Sequence, residues 1–267
     1  MNRAMVAFSV PFAVACVGTT GADIVDFEAG AAGPRDARAG EPLSFTNDRG
    51  FAVELTRASL HVGAMYLDQS LPVSGAQSAT CILPGTYVAE ATMGRDVDLL
   101  DPTPQTFPGG GHGTTLEARA GQVWLTHDDV NATVDPSGEP ILFFEGTTTV
   151  EGELRPFTGK VTISSNRQSA GQVAGASPIC KERIVSPIET QVSVETTGAL
   201  LLRVDPRLLF VNVDFAALPL TSEGYVFSDD PDEPAYGQPS VNLYSNLHSG
   251  GSLAGPSLYV FSWQSEL

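Results

Sequence analysis

Over residues 187–195 the chain reads PIETQVSVE, with apolar and polar side chains alternating one by one. Ile188, Thr190, Val192 and Val194 share one parity, and Glu189, Gln191, Ser193 and Glu195 share the other. A period of two suits an extended strand with one covered face, and it gives a helix no apolar stripe. The pattern recurs along 51–67, FAVELTRASLHVGAMYL. Phe51, Val53 and Leu55 hold one parity there; Ala58, Leu60, Val62, Ala64 and Tyr66 hold the other. The switch at Thr56-Arg57 predicts a β-bulge or a strand break. Further strands are expected at 23–29, 85–92, 121–130, 208–218 and 257–263. Hairpins are expected across 141–163, turning at Glu151-Gly152-Glu153, and across 187–204, turning at Thr197-Gly198. Segments 96–121 and 167–187 are too long for tight turns and read as loops. No segment reads as an amphipathic helix. The 27 glycines and 19 prolines fit many short strands joined by turns. The expected fold is all-β: an antiparallel β-sandwich, jelly-roll-like, with long loops, forming a single domain over 41–267.

The formal net charge is −17, from 14 Lys and Arg against 31 Asp and Glu, and the only lysines are Lys160 and Lys181. Such a chain repels nucleic acid and offers little to a phosphate, so no nucleic-acid partner is expected. The acidic run 228–234, SDDPDEP, reads as a solvated surface.

The first 15 residues, MNRAMVAFSVPFAVA, carry one cation, Arg3, ahead of a 12-residue apolar run from Ala4 to Ala15. That run has the length of a signal-peptide core and is too short to span a bilayer. Small residues precede Cys16, and AVAC at 13–16 resembles the lipobox of bacterial lipoproteins, with Ala13 and Val14 where Leu and Ala or Ser are usual. The resemblance implies a signal peptide over 1–15, a lipid on Cys16, and a lipid-anchored tether over 16–40. By resemblance to lipoprotein sorting rules, Val17 points to the outer membrane of the cell envelope, with secretion as the alternative. Cysteine parity agrees: with Cys16 acylated, Cys81 and Cys180 are left as an even pair for a disulfide. That bridge would close a loop of about 100 residues, a constraint of about 4.7 kcal/mol in the chain-entropy model.

Catalytic motifs are absent. There is no G-x-S-x-G, Ser164, Ser165 and Ser169 stand near no base motif, and no catalytic residue is assigned. The GGGHG stretch lacks the lysine of a phosphate-binding loop. Asp129, Asn131 and Asp135 space oxygens as calcium loops do, but without the central Gly and terminal Glu they read as a solvated turn. Trp124 and Trp263 read as core residues. The metal candidates are His61, Met65, His112 and His127, imidazole and thioether groups that suit copper. In one strand His61 and Met65 would lie roughly 13 Å apart, so any site must be assembled from distant segments.

The segments LTRASLHVGAMYL, C-x-LPGTYVAE, DVDLL, PICKERIVSPI and VDPRLLFVNVDF, in that order, resemble uncharacterised bacterial cell-envelope lipoproteins. This likeness implies no catalytic residues. The leading functional expectation is a non-catalytic, lipid-anchored envelope protein that binds an envelope or extracellular partner, without a cofactor. The alternatives are a periplasmic copper-binding protein and a β-sandwich hydrolase or carbohydrate-binding module.

Overall fold

The alternating segments pair into two sheets in a computed structural model, which describes residues 21–70, 85–127, 138–163, 182–230, 232–250 and 253–267. The leader, Cys16, Cys81, Cys180, the Asp129–Asn131–Asp135 spacing and Ser164, Ser165 and Ser169 lie outside the described residues. One sheet has nine strands: β1 (Ile24–Ala32), β4 (Ala64–Asp68), β5 (Tyr87–Ala91), β7 (Gln105–Thr106), β8 (Gly111–Thr114), β9 (Glu117–Trp124), β12 (Ile184–Ser193), β13 (Ala199–Val204) and β16 (Tyr259–Gln264). The other has seven: β2 (Leu43–Thr46), β3 (Ala52–Val62), β6 (Arg95–Asp98), β10 (Pro140–Val150), β11 (Glu153–Thr162), β14 (Leu220–Thr221) and β15 (Gly224–Phe227).

The nine-stranded sheet runs β12-β9-β4-β5-β8-β1-β13-β16, with β7 also on β1. Its two end strands approach each other, so the sheet nearly closes. The seven-stranded sheet runs β14-β15-β11-β10-β3-β2, with β6 sharing the β3 edge with β2. The all-β sandwich is therefore present, and most pairs are antiparallel. Two are parallel, β1 with β13 and β11 with β15. The expected first strand extends to Ala32 and lies inside its sheet, so the folded structure takes in residues ahead of position 41.

Two local expectations hold in detail. The β3–β10 register slips between Glu145, opposite Arg57, and Gly146, opposite Leu55, which leaves Thr56 as the bulged residue. Val53 and Leu55 before the bulge, and Ala58, Leu60 and Val62 after it, are all buried. The β10–β11 hairpin turns on two residues, with Val150 opposite Glu153. Glu151 and Gly152 both have positive φ, 52° and 84°, the backbone a type I′ turn demands and one that Gly adopts freely.

Four expectations are corrected. Strands β12 and β13 do not form a hairpin: β12 pairs with β9, while β13 lies between β1 and β16. The alternation in β12 marks its covered face, but alternation does not name a partner. Segment 96–121 is not a loop, because β7 and β8 lie within it, β6 ends in it and β9 begins in it. Segment 208–218 is not a strand but two 3-10 turns, Pro206–Phe210 and Phe215–Ala217, capped by the Asp205 and Asp214 carboxylates accepting from Arg207 N and Ala216 N. Finally, the described residues include an α-helix, α1 (Gln238–Leu247), with proline in its first turn. Asn246 of α1 donates to the carbonyls of Leu209 and Val211, and Asn242 donates to Asn212, so the helix fastens the 3-10 segment to the body. Among the described residues no helix is long and apolar enough to cross a membrane.

The 3-10 segment delivers Phe210 and Phe215 to a cluster with Phe144, Phe157 and Phe227, whose ring centroids lie 5.1–6.2 Å apart. Elsewhere the interior admits a carboxylate. Asp68 is fully buried; its Oδ2 accepts from Gln122 Nε2 at 2.6 Å, and Gln122 Oε1 accepts from Trp124 Nε1 at 3.1 Å. Oδ1 has no hydrogen-bond partner among the described residues. Burial pushes the Asp68 pKa up to about 6, against the Gln122 hydrogen bond that lowers it. An acid with a raised folded-state pKa contributes fully to stability while protonated, below its unfolded value of 3.8. That contribution is lost progressively as pH rises from 3.8 through about 6, and the whole shift corresponds to about 3 kcal/mol. Asp68→Asn keeps an acceptor for Gln122 and removes the charge. Urea unfolding should therefore find the variant more stable than the parent at pH 8, by about 2 kcal/mol, and equal to it near pH 4. A parent whose stability does not fall across that range contradicts this reading.

Candidate metal centre

His61 lies one residue from the end of β3, where the chain leaves one sheet for the other. The crossing is made at Gly63, whose N–H donates to Trp124 O at 2.7 Å. A Cβ at Gly63 would stand 2.2 Å from the carbonyl oxygen of Thr126, so only glycine lets β3 turn this tightly against the end of β9. The corner thus brings the residues after β9, including His127, against the end of β3. Thr126 is held in turn by the fully buried Arg183, whose Nη2 donates to Thr126 Oγ1 at 2.6 Å.

The third participant comes from β6, which pairs antiparallel with the end of β3 and sets Asp96 directly opposite His61. Directly opposed residues present their side chains on the same sheet face. His61 Nδ1 lies 2.7 Å from Asp96 Oδ1, and the rings of His61 and His127 stack with centroids 3.7 Å apart, tilted by 32°. One ligand atom each from His61, Asp96 and His127 falls within 4.8 Å of the others. On the far side, His127 Nε2 donates to Pro140 O at 3.2 Å, and its Nδ1 lies 3.9 Å from Glu139 Oε2. With Nε2 engaged by a carbonyl, the lone pair of neutral His127 falls on Nδ1.

The electrostatics favour neutral imidazole. Burial, and then the neighbouring His127, hold the His61 pKa below the ordinary histidine range, although hydrogen bonds to Asp96 and the Thr126 backbone pull the other way. Two stacked imidazoles cannot both be protonated without repulsion, and neutral rings are what metal ions bind. Both histidine side chains are mostly enclosed, at 13% and 18% exposure, while Asp96 is 77% exposed and leaves the site open on its side.

Of the four candidates named from sequence, His61 and His127 come together. Met65 does not join them: it is fully buried on β4, opposite Ala91 and Val123. His112 sits on β8 of the other sheet, pairing through Nδ1 with Asp26 Oδ1 at 2.8 Å. Asp96 escapes the sequence reading. Its signal is the alternation Arg95-Asp96-Val97-Asp98, with Val97 fully buried, too short to read as a strand inside an expected loop.

Other readings find less. Asp96 and Asp98 share a face of β6 and line a cleft of about 430 Å³ with Glu41 and Arg57. Asp96 is exposed and bonded to His61, and Asp98 caps Leu100 N at 2.9 Å, so neither carboxyl has the apolar enclosure of a general acid. Trp124 is buried, and Trp263 packs edge-on against Phe27 at 5.0 Å with its Nε1 donating to Thr197 O. Neither tryptophan is a free platform for a sugar ring.

No family model matches this chain, and no curated protein matches it. Among solved structures the chain is similar to MbnP from Methylosinus trichosporium, at 14% sequence identity over 90% of this chain and 98% of that chain, with a TM-score of 0.34.

Proposed function

We propose that this chain is a non-catalytic metal-binding protein that holds one divalent transition-metal ion between His61, Asp96 and His127. The observation that carries the reading is the stacking of two enclosed histidines beside a carboxylate, drawn from three segments far apart in sequence. Two imidazoles and one carboxylate are a borderline N/O donor set, which suits Cu(II) and Zn(II) and binds Cu(II) the more strongly of the two. Without Met65 the set holds no soft sulfur, so the oxidised form of copper is favoured over Cu(I).

The address proposed for this protein is the cell envelope, with export through the leader and a lipid on Cys16. The sequence of the leader alone supports it. In that oxidising compartment Cys81 and Cys180 would pair with each other and leave the ion to the histidines.

The direct check is loading. Purified protein incubated with excess Cu(II) or Zn(II) and then desalted should retain about one ion per chain by elemental analysis. Retention below about 0.1 ion per chain with both metals would overturn the proposal.

A further inference from the structure

We propose a second site, for a small oxyanion, in a cleft of about 390 Å³ lined by Arg35, Arg203 and Arg207. In a chain of net charge −17, three guanidiniums around one cleft are an unusual concentration of positive charge. They are not equivalent. Arg207 is committed: its Nε and Nη2 donate to Asp205, and its Nη1 and Nη2 donate to Asp36, all within 3.1 Å. Those two carboxylates hold the Arg207 guanidinium well above its usual pKa, and the same contact holds Asp36 below its own. Both acids lining the cleft are thereby turned toward Arg207.

Arg203 is placed differently. Its Nη1 donates to the carbonyls of Gly33 and Pro102, at 2.8 and 3.1 Å, which fixes the side chain without neutralising it. Its Nε is buried with no hydrogen-bond partner among the described residues. Arg35 forms no ion pair among the described residues, and its charge adds to the burial that disfavours a charged Arg203. A half-buried cation without a counter-ion, beside a like charge, is costly. An anion between Arg35 and Arg203 relieves both penalties, and the planar guanidinium matches the paired oxygens of a carboxylate or phosphate. Phosphate and carboxylate ligands share this chemistry, and titration separates them.

Calorimetric titration of the purified protein at low salt and pH 7 uses inorganic phosphate in one arm and succinate in the other, with chloride as control. At least one oxyanion should bind saturably, one per chain, with Kd of about 1 mM or tighter. Arg35→Gln should weaken that binding at least about tenfold. Because Arg35 makes no hydrogen bond among the described residues, the variant should keep the parent's melting temperature. Arg203→Gln should abolish binding, and a melting curve will report whether it remains folded. His61→Ala should leave oxyanion affinity unchanged, so this site and the metal centre fail or stand separately. No saturable binding by either anion up to about 20 mM, or affinity unaltered by Arg35→Gln, overturns the proposal.

Discussion

Alanine at both His61 and His127 should lower Cu(II) or Zn(II) affinity by at least about 100-fold, because it removes both nitrogen donors and leaves one exposed carboxylate. Asp96→Asn should cost about tenfold, since the amide keeps an oxygen but loses the charge. His112→Ala is the control: it sits on the other sheet, bonded to Asp26, and should bind metal as the parent does. All three should retain the parent's far-UV circular dichroism, since no substituted side chain belongs to the buried core. Competition against a chromophoric chelator gives the numbers. A double-histidine variant that binds as tightly as the parent would place the ion elsewhere.

Phe210→Ala should destabilise the fold by about 3–5 kcal/mol, at the upper end for a single truncation in a packed core. Phe210 is fully buried and meets Phe45, Phe144, Phe157, Phe215 and Phe227, with centroids 5.4–6.2 Å away. Its neighbours belong to strands of the seven-stranded sheet and a second 3-10 turn, each fixed by its own hydrogen bonds, so the void cannot collapse cheaply. For a chain of this length the loss corresponds to a drop in melting temperature on the order of 10 °C. Phe143→Ala is the contrast, since that ring is only half buried beneath the Arg57 guanidinium, and it should cost much less. A Phe210→Ala variant within about 1 kcal/mol of the parent would mean that the cluster repacks.

The strands are legible where side chains record their surroundings. Alternation in Ile188–Val194, and the parity switch at Thr56, follow directly from one covered face and one wet face. Pairing is less legible, because a strand's pattern states that it is covered and not by what. So β12 and β13 read as a hairpin across Gly198, although they sit toward opposite ends of the nine-stranded sheet. Phe210 falls outside the alternating set Leu209, Val211, Val213 and Phe215, yet it is buried while Val211 is not. Aspartate caps at 205 and 214, with Asn212 at φ 58°, bend the chain into 3-10 turns whose spacing a strand template misreads. The metal centre is half legible. Histidine type marks His61 and His127, but their meeting depends on the corner at Gly63, a tertiary contact with Thr126 that no local pattern announces. Asp96 depends on the β3–β6 register, which is tertiary information again.

The most direct test of the metal centre is a long-range proton–nitrogen correlation spectrum of the four histidine rings, recorded as diamagnetic Zn(II) is added. The ring nitrogens of His61 and His127 are expected to shift together and saturate at about one equivalent. His248, whose Nδ1 and Nε2 face the carbonyls of Tyr244 and Glu182, and His112 beside Asp26 should stay in place. Shifts confined to His112 or His248, or no shift at His61 and His127 at saturating zinc, would contradict a centre built on these two rings.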